Sequence, residues 1–137
     1  MNEENEKRLL EKFKNLFEPD EIRKDPMKSC MAFGFETANG WNKLIEDMLT
    51  EVNEELKKNP IEDFAFVQIK EKFGSLRAYT QNTSDVIHDI IRKYEKISAV
   101  TCEICGEAGE ILDVRGWYSC LCKTHHLDKL IKRPSVL

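Results

Sequence analysis

Apolar positions recur along this chain at two different periods, and the periods divide it into elements. Over residues 3–17, Leu9, Leu10, Phe13, Leu16 and Phe17 fall at spacings of three and four, which predicts a helix ended by Pro19. Residues 18–40 carry Pro19, Pro26, Gly34 and Gly40 and predict irregular chain. Trp41, Leu44, Ile45, Met48, Leu49, Val52 and Leu56 then form one stripe, predicting a helix over 41–58. Asn39 is its candidate cap, and Asn59-Pro60 its stop. The period shortens over 64–80, where two strands are expected to meet near Gly74-Ser75. Ser84 and Asp85 open a further predicted helix to 98, with Val86, Ile87, Ile90, Ile91, Tyr94 and Ile97 as its buried stripe.

The last third carries the chemistry. Cys102-Glu-Ile-Cys105-Gly106 is answered, after a sixteen-residue stretch that begins at Gly106, by Cys122-Lys-Thr-His125. Two such pairs are the spacing of a four-coordinate structural zinc site. Four of the five cysteines crowd the last 36 residues, which reduced thiols packed as small hydrophobes would not explain. Glu107 to Leu121 is long enough to run out and back as a hairpin, with turn signals at Gly109 and Gly116. A short helix, 126–132, should follow with Leu127, Leu130 and Ile131 on one face. Knuckle, hairpin and helix in that order resemble the treble-clef class of zinc modules. Cys120 could replace Cys122, and His126 could replace His125, but only Cys122 and His125 make a C-x2-H pair. Cys30, far away, reads as a buried or free thiol.

The expected architecture is therefore α+β: a helix–helix–β-hairpin–helix core over 1–98, and a treble-clef-like zinc module over 99–137. Ser98 to Thr101 leads straight into the first ligand without a flexible linker, so one compact unit is expected.

Charge narrows the function. The 137 residues are 34% charged with a net charge of −4. Residues 29–63 hold eight acids against three bases, and Glu46, Asp47, Glu51, Glu54 and Glu55 line the outer face of the helix over 41–58. The hairpin over 64–80 reverses the sign, with Lys70, Lys72 and Arg77 against Glu71. Alternation places Gln68, Lys70 and Lys72 on one face of the first strand, and Arg77 with Tyr79 on one face of the second. No apolar run approaches the roughly 18 residues of a membrane span. The acidic start is unlike a secretion signal, and an odd number of cysteines in metal spacing fits a reducing cytosol.

Three blocks together resemble a family of small, functionally uncharacterised proteins encoded by bacteria and their phages. They are Gly34-Phe-Glu36 with Gly40-Trp41; Gln68-x-Lys70-Glu-Lys-Phe-Gly74-x-Leu-Arg77-x-Tyr79; and Ser98 leading to Cys102-x2-Cys105-Gly106, Gly116-Trp117 and Cys122-x2-His125. Members often carry a Cys and an Asp just before the Gly-Trp pair, where this chain has Thr37, Ala38 and Asn39. The resemblance implies a compact intracellular zinc protein of phage or prophage origin and supplies no reaction.

The expected function is protein–protein interaction, as an inhibitor or adaptor in the bacterial cytosol. One structural zinc supports the fold, and Lys70, Lys72, Arg77, Tyr79, Glu36 and Trp41 are candidate contacts. A variation has the acidic helix mimic nucleic acid. The runner-up is nucleic-acid binding through Lys70, Lys72, Arg77, Lys123, Lys129, Lys132 and Arg133. A hydrolase or nuclease is a weaker expectation. Four ligands would close the metal, no histidine lies between Cys105 and Cys122, and no phosphate loop or nucleophile elbow is present. Glu36, between Phe33, Phe35 and Trp41, is the one acid with a catalytic reading.

Overall fold

The computed structural model describes residues 1–131. Helices α1 (Glu3–Lys12), α2 (Asp20–Arg23), α3 (Asn42–Lys58), α4 (Asp85–Ser98) and α5 (Lys123–Ile131) and strands β1 (Phe35–Glu36), β2 (Ala65–Lys72), β3 (Ser75–Gln81), β4 (Glu110–Val114) and β5 (Trp117–Leu121) follow the order α1-α2-β1-α3-β2-β3-α4-β4-β5-α5. The fold is mixed α+β, as expected. No helix among the described residues is long and apolar enough to cross a membrane.

The first helix is shorter than its apolar stripe. It ends at Lys12 and gives way to a 3-10 turn over Lys14–Leu16. Phe17 is then extended and makes a parallel bridge to Phe66. Phe13, Leu16 and Phe17 all reach the core, as their shared stripe requires, and the break frees the Phe17 backbone to pair with Phe66.

The sheet runs β1-β2-β3, with β1 parallel to β2 and β3 antiparallel to it. A bulge at Val67 separates the pairs Phe66–Thr80 and Gln68–Tyr79. The extra residue lets Phe66 and Ile69, three apart, both face inward. They meet Leu44, Ile45, Met48, Leu49 and Val52 of α3 and Ile87, Ile91 and Tyr94 of α4 in the main core. The stripe expected for α4 is narrower than drawn, since Val86 and Ile97 are exposed.

Asn39 does not cap α3. It starts a 3-10 turn over Asn39–Trp41, and its Oδ1 accepts the Asn2 N–H at 2.7 Å. Nor is the acidic face of α3 free. Glu46 pairs with Arg8 at 3.1 Å and Lys12 at 2.8 Å, Asp47 with Lys43, and Glu51 with Lys93 at 2.6 Å. The Lys12 hydrogen bond holds the Glu46 carboxyl below its usual range. Burial would raise Glu51, but hydrogen bonds from Lys93 and the Tyr94 hydroxyl bring it down. Glu46 and Glu51 join α3 to α1 and α4, which weakens a nucleic-acid-mimic role for this face.

Ser98, at the end of α4, is fully buried. Its Oγ accepts the Leu76 N–H at 2.8 Å and donates to the Glu95 carbonyl. Ser98→Ala leaves the Leu76 amide without a partner, so a loss of about 1–3 kcal/mol in denaturant unfolding is expected. An unchanged midpoint would show that another acceptor takes over.

Candidate metal centre

The site is built from the chain segment after α4. The Cys102 N–H donates to the Glu107 carbonyl at 2.7 Å, and the Gly106 N–H returns to the Cys102 carbonyl at 2.9 Å. This tight turn needs the left-handed φ of +83° at Gly106, which glycine adopts without a side-chain penalty. It aims two sulfurs the same way. The β4–β5 hairpin then turns on Arg115 and Gly116, both with positive φ, while Asp113 Oδ1 accepts the Gly116 N–H. β5 delivers Cys122 next to α5, and the helix begins at Lys123, three residues before its expected start, so His125 lies in its first turn. The expected end at Lys132 lies outside the described residues.

Cys102, Cys105, Cys122 and His125 come together, with their ligand atoms all within 4.8 Å of one another. Cys105 Sγ is 3.8 Å from Cys122 Sγ, and His125 Nδ1 is 3.6 Å from Cys102 Sγ and 3.2 Å from Cys122 Sγ. Such a group could hold a metal ion. Burial would raise the Cys102 thiol, but backbone amides of Cys122, Cys105 and Ile104 outweigh it and lower the thiol to about 6. Cys102 is therefore largely thiolate at neutral pH, the form that binds metal.

The choice between neighbours is resolved by their positions. Cys120 faces the main core with no exposure, and burial pushes its thiol up to about 11. His126 lies outside the ligand group. Cys30 is exposed and unbridged.

The turn that carries the first two ligands is fastened to the chain just before α3. Trp41 Nε1 donates to the Thr101 carbonyl at 2.9 Å, the Gly40 N–H to the Glu103 carbonyl at 2.6 Å, and the Ala38 N–H to Glu103 Oε2 at 3.1 Å. Burial raises the Glu103 carboxyl even though the Ala38 amide pulls the other way. The Glu103 N–H in turn meets the Cys120 carbonyl. Glu103 and the Thr101 carbonyl have no signature in a single sequence, since an acid between two ligand cysteines looks like ordinary surface.

The proposed contact residues separate into two groups. Trp41 is completely buried and belongs to the interior, not to a binding surface. Phe35 is also buried, Phe33 is 64% exposed, and Glu36 is exposed beside them, so the aromatic residues do not enclose an acid. Lys70 and Arg77 lie directly opposite each other on β2 and β3, and Glu36 on β1 lies beside Lys70. Tyr79, 43% exposed, faces Gln68 across the strands. Lys72, at the end of β2, has its ammonium 5.6 Å from the centre of the Phe73 ring. Among the described residues Lys70, Lys72 and Arg77 form no ion pair, and Glu46, Asp47 and Glu51 of α3 pair with α1, α3 and α4 instead. Lys123 and Lys129 are exposed, while Lys132 and Arg133 lie outside the described residues.

Compared with protein-family models, curated proteins and solved structures, the chain finds no match in any of the three.

Proposed function

We propose that the chain is a zinc-stapled protein-interaction module. The observation that carries it is the convergence of three sulfurs and one ring nitrogen on a turn fastened to the core. Zinc is the metal that fits best. Zn–S bonds of about 2.3 Å and Zn–N bonds of about 2.0–2.1 Å in a tetrahedron place sulfurs about 3.8 Å apart and sulfur about 3.5 Å from nitrogen. Separations of 3.8, 3.6 and 3.2 Å approximate those edges. Cys102 and Cys105 would supply one edge of the tetrahedron, and Cys122 and His125 the other. Four protein ligands leave no open position for a water or substrate, so the ion stabilises the fold rather than performing chemistry. A knuckle, a hairpin and a helix carrying the last ligand also support a treble-clef reading.

A structural ion in a small chain frees its surface for recognition. Three unpaired cations on an open sheet face favour docking on another macromolecule, and the protein reading is preferred because the chain as a whole is acidic, at −4. Within it the chain acts as an inhibitor or adaptor in a bacterial cytosol, in keeping with phage or prophage origin. Nucleic-acid binding through Lys70, Lys72, Arg77, Lys123 and Lys129 is the alternative, supported by the same unpaired cations.

Metal analysis of protein never exposed to chelator should give about one zinc per chain. A folded sample with none would overturn the zinc assignment. A pull-down from bacterial lysate treated with nuclease should retain a defined protein partner, and loss of all partners on nuclease treatment would favour the alternative.

A further inference from the structure

The three unpaired cations do not stand alone. Lys70 and Arg77 occupy one cross-strand position on the sheet face turned away from the core residues Ile69 and Leu76. Like charges directly opposite each other on a sheet destabilise it unless something negative lies between. From there the surface continues into apolar ground. Lys72 leads to Phe73, whose ring is 65% exposed. The next residue, Gly74, is in contact with Ile111 of β4, so close that a Cβ at Gly74 would come within 2.9 Å of the Ile111 side chain. Ile111 is 40% exposed, and Tyr118, diagonal to it on the same face of the hairpin, is 51% exposed. The Phe73-Gly74 turn thus links a strip of cations on the core sheet to exposed apolar side chains on the hairpin.

We propose that this strip binds an extended acidic segment of a protein, one whose carboxylates meet Lys70, Lys72 and Arg77 and whose large apolar side chain rests on Phe73, Ile111 and Tyr118. The occupant follows from the order of charges. Glu36 stands at one end of the strip beside Lys70, and Asp113 at the other end directly opposite Tyr118. A short segment with central carboxylates and an apolar residue matches positive-then-apolar ground bracketed by acids. A nucleic acid, with a phosphate on every nucleotide, would bring charge against both Glu36 and Asp113. Arg77 suits a carboxylate because its planar fork can hold both oxygens. The inference rests on the protein-interaction reading and on the metal, which fixes both ends of the hairpin that carries Ile111 and Tyr118.

The test pans a random-peptide phage library on the full, zinc-loaded chain. Enriched peptides should combine Asp or Glu with an aromatic or large aliphatic residue. Their synthetic, fluorescein-labelled forms should bind at least about tenfold more weakly to Arg77→Glu and to Tyr118→Ala, two changes at sites outside the core that should leave the melting temperature near the parent's. Lack of enrichment, a basic consensus, or acidic peptides that bind both variants as tightly as the parent would each overturn the proposal. A labelled oligothymidine of about 15 nucleotides serves as the rival probe. Tighter binding of that probe than of any selected peptide, with a log–log salt slope of several units and dependence on Arg77, would also overturn it in favour of nucleic acid. The lysate partner separates the two levels. A partner captured equally by Arg77→Glu leaves the interaction reading standing and removes the strip, whereas failure to recover any protein removes the reading itself.

Discussion

Cys105→Ala is expected to abolish tight metal binding and to release residues 100–131 from protection against hydrogen exchange, while residues 3–98 remain protected. Cys105 is exposed, so its removal takes away a ligand without opening a cavity. The apolar core of this part of the chain is small. Cys102, Val114 and Leu121 are buried there, with Leu112, Cys122 and Leu130 packed around them. Burying a few such side chains contributes about 1.5–3 kcal/mol each, whereas ordering each residue's backbone costs about 1–2 kcal/mol. Apolar burial alone therefore falls well short for a segment of this length. Bound zinc would supply the difference, since its apparent binding energies are about 10–16 kcal/mol in isolated zinc-finger peptides. The main core has its own large cluster from Leu9 to Tyr94, to which this segment adds only Cys120, so it is expected to hold without the ion. Hydrogen-exchange mass spectrometry decides between outcomes. Equal protection of residues 100–131 in variant and parent would show that packing, not metal, holds this segment.

Acid should imitate the substitution. The Cys102 thiol ordinarily ionises near 9.0 and is lowered to about 6 in the metal-free fold by the surrounding backbone amides. Metal binds thiolates, so affinity falls as pH drops and protons compete for the sulfurs, including that of Cys105. The Glu107 backbone amide lowers the Cys105 thiol, but Cys102 and Cys122 beside it hold it above its ordinary value. Release of the metal into a chromophoric chelator should accordingly rise as the pH is lowered, and should precede loss of the helical signal from α3 and α4. Release and helix loss at one common pH would instead tie the metal to the whole fold.

Local features of this molecule were legible in its sequence, and long-range ones were not. Cys102 and Cys105, or Cys122 and His125, are close along the chain, so their spacing already restricts where their ligand atoms can point. The strands of 65–81 and the turn at Arg115-Gly116 likewise follow from side-chain alternation and positive φ over a few residues. The hydrogen bond from Trp41 to the Thr101 carbonyl spans sixty residues, and nothing near Trp41 announces it. Trp41 heads the apolar stripe of 41–58 and is fully buried, which fits its place in that stripe rather than among the candidate contacts. The same limit applies to charge. Glu46 and Glu51 form an acidic stripe when α3 is drawn alone, and only its packing against α1 and α4 brings Arg8, Lys12 and Lys93 to them. Phe17 leaves its helix early for a bridge to Phe66, a pairing invisible in the helical period of residues 3–17.

Gly40→Ala should cost more stability than Gly116→Ala, although only Gly116 has a left-handed φ, of +91°. A side chain at Gly116 meets nothing within 4 Å, so the expense there is backbone strain of about 1 kcal/mol. A Cβ at Gly40 would lie 2.3 Å from the Cys102 carbonyl oxygen and 2.4 Å from that of Glu103. Both obstacles are backbone, held in place by the ligand turn, and cannot swing aside as a side-chain tip can. Either the turn moves off the start of α3, or α3 moves off the turn. The Gly40 N–H to Glu103 carbonyl bond, 2.6 Å long, is lost in either case, and the neighbouring Trp41 to Thr101 bond is strained. Overpacking costs about 1–3 kcal/mol and a lost hydrogen bond about 1 kcal/mol, so a decrease of about 2–4 kcal/mol is expected in denaturant unfolding. All four ligands are untouched, so zinc stoichiometry should stay near that of the parent. This combination separates docking from metal binding, because a ligand substitution lowers both quantities together. Stability equal to the parent's would mean that the turn is not pressed against Gly40, and loss of zinc with the fold otherwise intact would mean that Gly40 belongs to the metal site rather than to the seam between the two halves.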